Sequence, residues 1–213
     1  MFFRGKRVRK LALAALCLGL LVVYLNAALV FNDPTSPFPA AISAKAGDLI
    51  IDAASQLLQS SAAAFNLANE IEMAEKAPLR RSAALAYAEK ACRTLRLARL
   101  TFQKVITVGQ SAGYEMGRLH KLMDFDYALF AQENNLNGEV MNRLSAFLAK
   151  GDVLGYYRQT VNNQEKLLST LERIVADLKN GLRPSNDILW STIQQYNELL
   201  LWGNYATLVF YQL

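Results

Sequence analysis

The sequence predicts an all-α protein: an N-terminal transmembrane helix followed by an up-down antiparallel bundle of four to five long helices. Three observations carry that reading. Residues 11–31 form one apolar run. Beyond residue 40, apolar residues recur in alternating steps of three and four, the spacing of one helix face. No stretch sustains the period-two alternation of a half-buried strand.

The first element is a basic tail, residues 1–10. Arg4, Lys6, Arg7, Arg9 and Lys10 are five of the 23 Lys and Arg, and all 18 Asp and Glu lie beyond residue 30. The remainder therefore balances 18 positive against 18 negative charges, and the calculated pI of about 9.2 belongs to the tail. A neutral body lacks the counterion-releasing surface that nucleic acid requires, so no nucleic-acid partner is expected.

Leu11 to Phe31, LALAALCLGLLVVYLNAALVF, contains one strongly polar residue, Asn26. As a helix it measures roughly 31 Å, the thickness of a bilayer hydrocarbon core. Five positive charges precede it and the first acid is Asp33. That asymmetry places the N-terminus in the cytoplasm and residues 40–213 outside, in the periplasm or extracellular space, as a single-pass protein of the cytoplasmic membrane. A signal peptide cut near Leu25-Asn26-Ala27 is the competing reading, although the run is long for one. Cys17 follows Leu16 rather than a small residue, which disfavours lipidation. Cys92 is the only cysteine of the body, so the body holds no disulfide within itself, and a packing role is expected.

Residues 32–39, NDPTSPFP, place three prolines in eight positions and form a semi-rigid spacer. The first body helix is expected from Pro39 or Ser43 to Lys76, on the seam Ile50, Ala54, Leu57, Ser61, Ala64, Ala68 and Ile71. Lys76-Ala77-Pro78 turns the chain, with Pro78 opening a second, antiparallel helix. Its seam is Ala84, Ala88, Ala91, Leu95, Ala98, Phe102 and Val105, small enough for close helix approach. Asn134–Gly138 is a turn, and a short helix from about Gly138 to Ala149 stops at Gly151. Asp152 caps the next helix, on the seam Leu154, Tyr157, Val161, Gln164, Leu168, Leu171, Val175 and Leu178, which Lys179-Asn180-Gly181 ends. Ser185 caps the last, whose expected stripe is Leu189, Ile193, Tyr196, Leu200, Gly203, Thr207 and Phe210.

One motif suggests an enzyme. Val105–Gly113, VITVGQSAG, resembles a strand entering the G-x-S-x-G elbow of a serine hydrolase, with Ser111 as nucleophile. The second-helix register continues through it as Gly109, Ala112, Met116, Leu119 and Met123, which a sharp elbow would break. The lone histidine, His120, would stand about 13 Å along such a helix, beyond hydrogen-bond reach. The hydrolase is thus the remote reading, and no catalytic residue is expected. Gly109, Gly113 and Gly117 line one face and favour a kink or break. His120 and Asp124 could share a metal but lack the Glu-x-x-His partners of a helical metal site, so no metal or cofactor is expected.

Two surfaces are candidate partner sites. Lys90, Arg93, Arg96, Leu97, Leu100 and Lys104 interleave basic residues with leucine on the face of the second helix opposite its alanines. That pattern fits an acidic amphipathic partner; alternatively the face packs on another helix and its charges pair at the rim. The last fifteen residues, LLLWGNYATLVFYQL, are either the most buried helix or a tail that presents Trp202, Tyr205, Phe210 and Tyr211 to a partner or membrane surface. The expected function is a non-catalytic, membrane-anchored accessory subunit with a protein partner or a second copy of itself. An extracytoplasmic ligand-binding bundle, similar in outline to sensor domains, is the alternative.

Overall fold

The computed structural model of the chain describes residues 45–74, 80–110 and 116–212. Seven helices, and no strand, stand among the described residues. They are α1 (Lys45–Met73), α2 (Arg81–Gln110), α3 (Met116–Met123), α4 (Tyr127–Glu133), α5 (Gly138–Leu148), α6 (Val153–Lys179) and α7 (Asn186–Gln212). The protein is all-helical as expected, but α3–α5 raise the count above five, and only α1, α2, α6 and α7 are long. No helix of the described residues is long and apolar enough to cross a membrane. The basic tail, the apolar run 11–31, the spacer and the Lys76-Ala77-Pro78 turn lie outside the described residues.

The long helices pack in a ring, α1 on α2, α2 on α6, α6 on α7 and α7 on α1. Alanine sets the closest pair. Ala84, Ala88, Ala91, Leu95, Ala98, Phe102 and Val105, the expected α2 seam, are all buried, and Ala53, Ala63 and Ala64 meet them from α1. Small side chains let the backbones approach toward the near end of the ~8–10 Å packing range. α7 meets its neighbours through Tyr196, Trp202 and Tyr205 instead and stands further off. Its buried stripe is Leu189, Thr192, Tyr196, Leu199, Trp202, Tyr205, Ala206 and Val209, shifted by one residue from the expected one at Thr192 and again from Leu199 onward. Burying Trp202 removes far more apolar area from water than burying Gly203 would, so the helix turns by about one residue.

The core divides into two clusters. One gathers Leu67, Ile71, Leu95, Leu171, Leu178 and Leu199 at the pole holding the α1–α2 and α6–α7 connections. The other gathers Ile50, Val105, Tyr157, Trp202 and Val209 with the inward faces of α3–α5 at the opposite pole. Between them lie buried polar groups. The Ser60 hydroxyl bonds the Ala91 carbonyl at 2.7 Å and the Tyr196 hydroxyl, the Trp202 indole donates to Thr160 Oγ1 at 2.9 Å, and Gln164 is wholly buried.

Caps fix the connections. Asp152 Oδ1 accepts from the Gly155 N–H at 2.7 Å, Asn137 Oδ1 from Glu139 and Val140, and Ser185 Oγ from Ile188 at 3.3 Å. Gly151 (φ 67°) and Gly181 (φ 79°) end α5 and α6 in the left-handed region that suits glycine, and Asn135 (φ 51°) occupies it in the Asn134–Gly138 turn. α2 begins at Arg81, three residues beyond the expected Pro78. Arg80 precedes the helix and forks onto Glu70 of α1, while Arg81 reaches the Gly181 carbonyl at 2.8 Å. The sequence reading places no element between Met123 and Asn134; there Asp126 caps α4 by accepting from Leu129 at 2.9 Å.

Candidate functional site

The hydrolase motif fails at its strand. Val105–Val108, the residues that would form the strand, are helical within α2, and Val105 is a core residue. Ser111, Ala112 and Gly113 lie outside the described residues. His120 is exposed on α3, and no group of three metal-ligating side chains stands together among the described residues.

The outer face of α2 is the candidate site. α1 and α6 flank this helix and bury its seam, so the opposite side turns outward. Three ion pairs seal its α6 edge in antiparallel order: Glu89 with Lys179 at 2.9 Å, Arg96 with Glu172, and Arg99 with Glu165. Arg96 of the predicted set is thus turned toward α6, its guanidinium engaged by the Glu172 carboxylate. Lys90, Arg93, Leu97, Leu100 and Lys104 remain, in steps of three and four, as one exposed stripe. Leu97 and Leu100 are 46% and 51% exposed, so among the described residues no other helix covers them.

The stripe borders a groove of about 470 Å³ between α1 and α2. Leu49, Asp52 and Gln56 form its α1 wall; Leu97, Leu100, Thr101 and Lys104 form its α2 wall. Thr101 Oγ1 donates to Gln56 Oε1 at 3.1 Å across the floor. An exposed leucine pair with basic residues at both ends offers apolar area to a helix face and cationic contacts to its acidic flanks, the complementarity that guides helix docking.

The second predicted surface divides. Trp202 and Tyr205 are core residues, 4% and 6% exposed, and do not present their rings outward. Tyr205 is held by the Asn137 N–H, which donates to its hydroxyl at 2.8 Å, and Trp202 by Thr160. The side chains of Phe210 and Tyr211 lie outside the described ones. Cys92 is 5% exposed. Burial pushes its thiol up to about 11, which leaves it neither a nucleophile at neutral pH nor placed for a bridge between chains.

A second opening, between α5, α6 and α7, measures about 580 Å³ and was not anticipated from sequence. Its residues come from three helices spanning positions 143–202, and no local motif joins them. Compared with protein-family models, curated proteins and solved structures, the chain matches none.

Proposed function

We propose that the chain is a non-catalytic interaction subunit of a membrane-associated assembly, anchored through residues 11–31 and docking a protein partner on the outer stripe of α2. One observation carries the docking reading: Leu97 and Leu100 stand about half exposed between Lys90 and Arg93 on one side and Lys104 on the other. A pair of solvent-facing leucines adjoining an apolar-lined groove is apolar surface that a partner would cover. The complementary partner is an amphipathic helix with an apolar stripe and acidic flanks. The anchor rests on the length and apolarity of residues 11–31 and on the basic residues ahead of them.

Native mass spectrometry of the full chain, gently extracted from its own membranes, tests both parts. The expected spectrum shows an uncleaved chain with a stoichiometric second subunit. In the Leu97→Glu/Leu100→Glu variant that subunit is expected to fall at least about tenfold in occupancy, since burying a charge in an apolar contact is strongly unfavourable. Undiminished occupancy in the variant overturns the docking site. A chain lacking its first 27 or so residues overturns the anchor.

A further inference from the structure

The groove between α5, α6 and α7 lies outside the α1–α2 surface and has the chemistry of a small-molecule site. Its volume of about 580 Å³ falls in the range of drug-sized ligand pockets. At one end Trp202 and Phe147 form an apolar wall, ring centroids 6.0 Å apart and planes at 86°. Trp202 is fixed there, stacked on Tyr156 at 5.4 Å with its indole N–H on Thr160. The wall is therefore built before any ligand arrives.

Further along α6 the lining turns polar. Asn163 and Lys166 face Gln195 and Glu198 of α7, with Arg143 entering from α5. Arg143 stands 3.9 Å from Glu198, a loose pair between two exposed side chains. No acid among the described residues pairs with Lys166, so its ammonium is the uncompensated charge of the groove. The Gln195 amide nitrogen donates to Ser191 Oγ at 3.1 Å, while its Oε1, an acceptor, is buried without a partner. From the level of Thr160 to Lys166 is six residues, about 9 Å of helix. A ligand spanning that distance would place an apolar body on the ring wall and a carboxylate at the lysine.

We propose that this groove binds a small organic carboxylate carrying an aromatic or branched apolar group, with the carboxylate on Lys166 and the apolar part against Phe147 and Trp202. The test uses the full chain in detergent. The sequence holds two tryptophans, so Trp190→Phe, at an exposed position, leaves Trp202 as the only indole reporter. The probes are 3-phenylpropionate and its neutral isostere 3-phenylpropionamide. A saturable change in Trp202 emission is expected with the acid, and binding at least about tenfold weaker with the amide. Lys166→Gln is expected to weaken the acid about tenfold and leave the amide unchanged, without altering the melting temperature. Saturation-transfer NMR on the unsubstituted chain repeats the comparison free of any effect of the tryptophan change. Leu97→Glu/Leu100→Glu is expected to leave all of these titrations unchanged, which separates this site from the docking stripe. Absence of saturable binding by the acid in both assays, equal affinity for acid and amide, or an inert Lys166→Gln each overturns the proposal.

Discussion

Gln164 sits at 0% exposure in the middle of α6, and neither its amide nitrogen nor its oxygen has a hydrogen-bond partner. Its place on the seam was legible from the four-three count; its isolation was not, since that depends on what three other helices present to it. Removing an unpaired amide from an apolar site returns its desolvation cost. Gln164→Leu, nearly isosteric, is therefore expected to stabilise the fold by about 1–3 kcal/mol in denaturant unfolding, and a loss of stability would show that the amide is satisfied in solution. Cys92 makes a second prediction. Burial lifts its thiol from the ordinary 9.0 to about 11, so above pH 9 the unfolded chain releases this proton while the folded one keeps it. Linkage then removes stability progressively from pH 9 to 11 as pH rises. Cys92→Ala is expected to reduce the slope of the stability profile across that window, most clearly near pH 9–10, below the onset of the buried tyrosines Tyr127, Tyr156 and Tyr196; an unchanged slope would place the thiol in water.

At the scale of elements, local signals were read best where local chemistry acts. The Asp152 cap, the Gly181 terminus, the Asn134–Gly138 turn and the alanine seam of α2 each depend on neighbours within one or two helical turns. The start of α2 and the rotation of α7 depend on distant groups, Glu70 for the first and the Tyr156–Trp202 stack for the second. The docking stripe was visible as a pattern, but Arg96 could be told from its neighbours only once Glu172 was placed beside it. The α6 cap offers a sharp test. A Cβ on Gly155 would lie 2.0 Å from Asp152 Oδ2, so alanine there displaces the capping carboxylate. Gly155→Ala is expected to cost about 1 kcal/mol in thermal unfolding, and markedly less in an Asp152→Ala background, where the cap is already gone and alanine's helix propensity counts in its favour. Equal costs in the two backgrounds would refute the clash.

Across the whole molecule, the two surfaces use different helices. The stripe lies on α2 beside α1, while the groove lies among α5, α6 and α7, so a partner and a small ligand would not compete for the same side chains. The four-long-helix bundle followed from periodicity alone. The groove did not, because convergence of Arg143, Lys166, Gln195 and Trp202 is a property of packing rather than of any segment. The close α1–α2 hairpin has a mechanical consequence. The chain enters the bundle at Lys45, at the pole holding α3–α5, and α1 then runs the full length of α2 against it. Tension applied at that entry point along the bundle axis loads the alanine-lined contacts of α1 all at once, in shear, instead of peeling them apart one turn at a time. A bundle loaded in this way resists being pulled open from the end at which α1 begins.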